Sequence, residues 1–405
     1  MPGQLTNTLA NRYTDYMYTL VVRVIDEIGP RPSCSEEEKK LGRLLVEEWK
    51  PICERVDVEP FTCSPYAFLG FIQLSVLFYF AAVILYWFFP PVSFVMAIVS
   101  FSMMFFELNY REFVDFIFPR KQGENIIGVI RPMSEPRRRV IVSGHLDSAY
   151  EFNLFYYLKN AAIPVVAIAI LGLVIILGGS LVKTIAYVNG SENAPVFAVI
   201  GLIAIVLSPF VGLLLFFHTY RPVPGAMDDM AGVAVVAGLG KYLDEAKRNG
   251  NWVPERTEVV LLGTSSEEAG LRGAKRYVRK HLTHMKEIPT YGLFLDCIYD
   301  EKFLTVVKRE IFTGAKHHPE LVKLAQEVAA SHKWPITVRL IPFGGTDASA
   351  FSVKGIPSIC LLCQDTSKLV PNYHTRNDTY EHIRPESLSV SLQLIIDMIE
   401  RIDKK

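Results

Sequence analysis

Two adjacent acids, Glu267-Glu268, follow the apolar, β-branched run 258–262 in Gly263-Thr-Ser-Ser-Glu-Glu-Ala-Gly270. A pair so placed can divide its work: one carboxylate ligates a metal while its neighbour, aimed elsewhere, takes a proton from metal-bound water. Without a metal, the same two residues are the acidic first turn of the helix that follows. Four other places carry residues of matching chemistry. His145-Leu-Asp147 follows the run 139–142. Alternation puts His145 and Asp147 on one side of an extended stretch, where the carboxylate can fix the imidazole tautomer, as metal-bound histidines need. Asp228 and Asp229 stand between Gly225 and Gly232, a setting suited either to bridging two cations or to capping a helix. Asp296 ends the apolar run Tyr291-Gly-Leu-Phe-Leu295, where a carboxylate is costly unless it meets a cation or donors. His374 lies in the polar loop Asn372-Tyr-His-Thr-Arg-Asn-Asp378.

Elements that could hold these residues can be read along the chain. Short β-branched or apolar runs predict strands at 56–61, 125–130, 139–142, 258–262, 292–295, 303–307, 336–340 and 358–362. Helical spacing predicts helices at 13–28, 228–246, 269–281, 319–332 and 385–402, and Ser35-Glu-Glu-Glu opens another that runs to about Trp49. Strands alternating with helices imply an α/β fold, a mixed, mostly parallel sheet covered on both faces. Working residues of such sheets gather at the carboxyl ends of the strands. His145, Glu267, Glu268 and Asp296 all follow or end a predicted strand.

In that order, His145, Asp147, Asp228, Glu267, Glu268, Asp296 and His374 resemble the pattern of the di-zinc exopeptidases. That family includes secreted bacterial leucine aminopeptidases, glutamate carboxypeptidases and, more distantly, glutaminyl cyclases. The amino-terminal Ile25-Asp-Glu-Ile-Gly-Pro-Arg-Pro-Ser33 and the turn Gly345-Thr-Asp-Ala-Ser-Ala-Phe351 are similar too. The resemblance implies two Zn²⁺ ions held by His145, Asp228, Glu268, Asp296 and His374, with Asp228 as the bridge. It implies Glu267 as general base and Asp147 as the residue that orients His145. Which ion Glu268 and Asp296 each serve stays open at this point. The residue after Asp228 is usually an amide in the family, and here it is Asp229.

The second departure is larger. Stretches 68–89, 92–106, 161–181 and 196–217 contain no Asp, Glu, Lys or Arg, and three reach the ~20 residues that cross a bilayer core. The second is shorter and follows Pro90-Pro91, so a re-entrant arm is the alternative there. The stretches pair into hairpins, with turns at Pro90-Pro91 and roughly 182–194. One hairpin falls between the first two strands, the other between Asp147 and Asp228. The expected organisation is therefore a peptidase domain made of 1–65, 109–160 and 219–405, with transmembrane hairpins at 66–108 and 161–218. Arg111, Arg120, Lys121, Lys159 and Arg221 flank the helix ends on the side of the large domain, which the positive-inside rule makes cytoplasmic. The six cysteines, including Cys360-Leu-Leu-Cys363, read as reduced core thiols.

Forty-two basic side chains balance forty-two acidic ones, which argues against nucleic acid as a partner. Peptide substrate and lipid bilayer are the partners expected. The function expected is a membrane-anchored zinc exopeptidase, with aminopeptidase preferred. Carboxypeptidase and glutaminyl cyclase are alternatives on the same fold. Arg309 and Arg376 are candidates for holding a terminal carboxylate. A non-catalytic membrane receptor or scaffold is the competing class.

Overall fold

The structure is a computed structural model that describes residues 11–368 and 370–405; the first ten residues of the expected segment 1–65 lie outside those described. Two compact units emerge, one from Met1–Pro65, Arg120–Tyr150 and Pro222–Lys405, the other from Tyr66–Pro119 and Glu151–Arg221.

The first unit is built on an eight-stranded sheet. Its strands are β1 (Arg55–Cys63), β2 (Lys121–Ile130), β3 (Arg138–His145), β4 (Thr257–Thr264), β5 (Thr290–Ile298), β6 (Leu304–Glu310), β7 (Thr337–Ile341) and β8 (Ser358–Cys363). They lie in the order β1-β2-β4-β3-β5-β8-β6-β7. The centre, β4-β3-β5-β8, is parallel, while β1, β2 and the β6–β8 pair bring antiparallel edges. Each strand overlaps one expected from the sequence. β-Branched residues fill the central strands, and their alternation feeds both faces. Val140 and Val142 enter one core and Ile141 the other.

Helices α1 (Asn11–Glu27) and α2 (Glu36–Trp49) open the chain. The hairpin unit holds α3 (Ala67–Leu85), α4 (Pro90–Leu108), α5 (Asn153–Leu158), α6 (Ala162–Val188) and α7 (Pro195–Leu213). Back in the first unit come α8 (Ala231–Arg248), α9 (Arg272–Met285), α10 (Pro319–Ser331), α11 (Asp347–Ser352) and α12 (Pro385–Asp403). Apolar faces of α1, α2, α8, α10 and α12 pack into the core with Val140, and α9 and α11 into the core with Ile141.

Both insertions leave and return through paired backbone. Cys63 stands opposite Lys121 at the open end of the β1–β2 ribbon. At the second, Val223 N–H donates to Ala149 O at 2.9 Å, and Tyr150 bridges to Pro222.

In the hairpin unit, Pro90 and Pro91 are the first residues of α4 rather than a turn. A first-turn N–H has no helical partner, so proline costs nothing there. The other expected turn, 182–194, is also shorter, because α6 continues to Val188 and carries Lys183 with it. The Lys183 ammonium donates to Tyr86 O at 2.8 Å and lies over the Tyr86 ring, so its charge is compensated. Residues 109–119 fall with this unit because Val114 is buried beside Ala67, Phe71 and Met103. Four helical segments, Ala67–Leu85, Pro90–Leu108, Asn153–Val188 and Pro195–Phe216, are long and apolar enough to cross a membrane.

Candidate active site

Parallel pairing aligns the carboxyl ends of β4, β3 and β5: His145 is in register with Thr264, and Ser143 with Phe294. His145 therefore ends the middle strand, with Glu267 and Glu268 just past β4 on one side. Asp296 lies near the end of β5 on the other. Asp228 comes from the non-helical turn before α8, where the Asp228–Asp229 peptide is cis. His374 comes from the loop between β8 and α12. His374 has left-handed backbone, and so do Ser266 beside Glu267 and Cys297 beside Asp296, all with positive φ. Non-glycine residues tolerate that only where the surroundings over-determine it, and such places cluster at functional sites.

Asp228 is the centre of the arrangement. Its Oδ1 lies 3.0 Å from His145 Nε2 and its Oδ2 lies 3.0 Å from His374 Nε2. His374 Nε2 is also 3.3 Å from Glu268 Oε1. Donor atoms of His145, Asp228 and Asp296 lie within 4.8 Å of one another, and so do those of Asp228, Glu268 and His374. A further trio, His145, Glu267 and Glu268, meets the same limit. All seven residues singled out in the sequence are thus brought to one place. Glu268 groups with His374, and Asp296 with His145.

The acids present demand positive charge. Asp147, Asp228, Asp229, Glu267, Asp347 and Asp378 are buried, with Glu268 and Asp296 nearly so, against His145, His374 and Arg31. Burial and then the Asp228 charge push Asp296 up to about 7. Burial drives Glu267 well above the carboxylate range, and Glu268, Asp347 and Asp296 add to the rise while His145 opposes it. Burial raises Glu268 as well, despite His374. Asp228 alone is held low: burial opposes its charge, but His145 and His374 outweigh it. Burial likewise works against protonation of His374, yet Glu268 and Asp228 lift it to about 10. Divalent cations would ionise this set, and mixed imidazole and carboxylate donors at these spacings suit Zn²⁺. The donor atoms fall into groups of three that could hold such a metal ion, and Asp228 belongs to two of them.

A supporting layer fixes the donors. Asp147 does more than orient His145, whose Nδ1 lies 3.1 Å from the Asp147 carbonyl and 3.4 Å from its carboxylate. Its two oxygens also accept the N–H groups of Glu267 and Glu268, each at 3.0 Å, and Oδ2 accepts the Ser33 hydroxyl at 2.6 Å. Asp229 accepts the His145 N–H at 3.0 Å, so the acid that departs from the resembled pattern holds the His145 backbone. Asp378 accepts from Met227 N at 2.8 Å and Asp228 N at 3.2 Å. Fully buried Arg31 donates to the carbonyls of Leu146, Gly29, Pro224 and Gly225, tying the His145 and Asp228 loops together. Arg31, Ser33, Glu38 and Asp378 were not read as functional from the sequence. Arg31 and Ser33 were visible only as part of the amino-terminal motif, and Asp378 only as a neighbour of His374. Arg309 is exposed and Arg376 half-buried.

The profile of peptidase family M28 matches residues 214–399. Aminopeptidase NAALADL1 of Rattus norvegicus is 22% identical over 227 residues, covering 51% of this chain and 30% of that protein. A probable glutamate carboxypeptidase, LAMP1 of Arabidopsis thaliana, is 24% identical over 214 residues, covering 49% and 30%. The chain thus spans about a third of the length of the curated relatives it matches. Among solved structures, the aminopeptidase from Aneurinibacillus sp. strain AM-1 has a TM-score of 0.58 at 13% identity, covering 97% of this chain and 95% of that one. An Acidobacteriales bacterium glutaminyl cyclase has a TM-score of 0.57 at 15% identity, covering 100% and 99%. A zinc aminopeptidase from Bacillus subtilis, BSAP, has 0.56 at 15%, covering 96% and 95%. The M28 match over residues 214–399 agrees with the resemblance read from the sequence, and the fold is that of the solved zinc aminopeptidases.

Proposed function

We propose that this chain, with its M28 match on a zinc-exopeptidase fold, is a membrane-anchored metallopeptidase that removes residues from the amino terminus of peptides. The observation that carries the reading is Asp228, whose two oxygens face one histidine each while Asp296 and Glu268 complete two three-donor sets. His145, Asp228 and Asp296 would hold one Zn²⁺, and Asp228, Glu268 and His374 the other. Ions held there would supply Lewis acidity to a peptide carbonyl and lower the pKa of a water molecule. Glu267, carried on the same loop as Glu268 but outside both sets, takes the proton from that water and returns it to the leaving amine. Asp147 keeps Glu267 and Glu268 at fixed separation through their backbone N–H groups.

Similarity to an aminopeptidase among the curated relatives and to aminopeptidases among the solved structures supports an aminopeptidase over a carboxypeptidase. Glutaminyl cyclisation shares the fold, and the TM-scores do not separate it; two complete donor sets favour hydrolysis. The test is zinc content together with rates on an aminoacyl amide, an acyl-blocked peptide and a glutaminyl peptide. About two zinc per chain and turnover of the aminoacyl amide alone are expected. Release of carboxyl-terminal residues, or cyclisation only, replaces this reading.

The four apolar helical segments are read as transmembrane, with the sheet unit cytoplasmic. Cysteine labelling of intact cells decides the orientation. Modification of the sheet unit by an impermeant reagent reverses it.

A further inference from the structure

Three consecutive glutamates open α2, and they do not share a fate. Glu36 and Glu37 keep 68% and 40% of their side chains exposed, as acids in a first helical turn ordinarily do. Glu38 is 1% exposed. Ser35 caps the helix by accepting the Glu38 N–H at 3.1 Å. In a capping box the third-position Glu would answer by reaching back to the cap's own N–H. Here the Glu38 carboxylate goes elsewhere: Oε2 accepts from Cys34 N at 2.7 Å, and Oε1 accepts from Ser266 N at 2.8 Å, 228 positions away in sequence.

Ser266 belongs to the loop that carries Glu267. Four successive N–H groups of that loop are each taken by a side-chain oxygen from another part of the fold. Asn125 Oδ1 accepts Ser265 N at 3.0 Å, Glu38 Oε1 accepts Ser266 N, and Asp147 accepts Glu267 N and Glu268 N. The loop needs this hold, because Ser266 has φ +58°, a left-handed backbone that a serine does not adopt by preference. The two acids are linked through the amino-terminal turn as well, since Ser33 binds Asp147 while the adjacent Cys34 N–H binds Glu38.

We infer that Glu38 is a positioning residue for the hydrolytic reaction, acting through the Ser266 N–H to hold Glu267 at its working place. The inference rests on the peptidase reading and concerns a residue outside the metal-ligand set. Glu38→Gln keeps size and shape, but its amide has one acceptor oxygen for two donors. The nitrogen then faces an N–H, and one loop contact is lost. Misplacing a reacting group by about 1 Å can cost ~10²-fold in rate.

The experiment compares wild type, Glu38→Gln and Glu38→Asp, full length in detergent with zinc, on an aminoacyl amide. Asp is one methylene shorter and cannot span both donors, so it should not rescue. The expected result is kcat per zinc-loaded chain lowered ~10-fold to ~10²-fold in both variants, with KM within about twofold and zinc content unchanged. A merely structural role would instead lower zinc content and active fraction together, leaving turnover per loaded chain at the wild-type value. That outcome, or wild-type kcat in Glu38→Gln, overturns the inference. A wild-type chain that binds zinc but hydrolyses no terminal peptide bond overturns the peptidase reading, and this inference with it.

Discussion

The two units solve opposite solvation problems. In the sheet unit, apolar side chains are inside, and the buried polar groups concentrate at the strand ends around Asp228. The hairpin unit has an apolar interior as well, but its outer face is apolar too. Leu77, Ile84 and Val206 are more than half exposed, while Ser75, Ser93, Ser100 and Ser180 are buried. Ser75 and Ser100 each donate to the other's carbonyl, at 2.8 and 2.7 Å, and Tyr79 donates to Ala204 O at 2.9 Å. In the bilayer setting proposed above, no hydrophobic drive would join the helices, and small residues and hydroxyls would supply the contact. A polar interior therefore has two meanings here. Charged, under-compensated groups mark a site, whereas neutral groups with satisfied hydrogen bonds serve as helix adhesive.

The sharpest way to break this contrast is to remove one donor from the charged centre. Glu268→Ala and His374→Ala should each lose metal and nearly all activity, because each removes a first-contact donor from the proposed set. Full zinc occupancy in both variants, by elemental analysis, would remove those residues from it. Glu267→Gln should keep zinc and fold while turnover falls ~10²–10⁴-fold, since the amide cannot take a proton. Near-normal kcat would assign the base elsewhere. In the other unit, Leu77→Asp places a charge on the exposed apolar face at a cost of ~2.5–3.5 kcal/mol for insertion. Reduced membrane integration is expected, and unchanged integration would count against a lipid-facing α3. The smallest effect should come from Ser75→Ala, which removes one neutral hydroxyl and lowers stability in detergent by roughly 0.6–1.7 kcal/mol, with kcat untouched. A fall in zinc content in that variant would blur the distinction between the two interiors.

Most of the architecture was legible along the chain, and the reason is periodicity. Central strands carry continuous apolar runs, such as 259–262 and 359–362, because the sheet is covered on both faces. The stretches 68–89, 92–106, 161–181 and 196–217 stand out because they carry no Asp, Glu, Lys or Arg, as a span through hydrocarbon would require. Where boundaries slipped, local chemistry explains it. Pro90-Pro91 read as a turn but is equally suited to a helix start, and α6 carries Lys183 because its ammonium finds a carbonyl and two aromatic rings.

What the sequence by itself determined is the inventory: which residues have the chemistry, in what order, and that His145, Glu267, Glu268 and Asp296 follow or end strands. It could not pair them, because pairing depends on strand order in space. β4 and β5 flank β3 on opposite sides, so Glu268 and Asp296 reach the site from opposite sides of His145 and serve different donor sets. Nor could it separate Glu38 from Glu36 and Glu37, three identical residues in one first turn. Only the packing of α2 against the sheet turns one of them inward, to an N–H that lies 228 positions away along the chain.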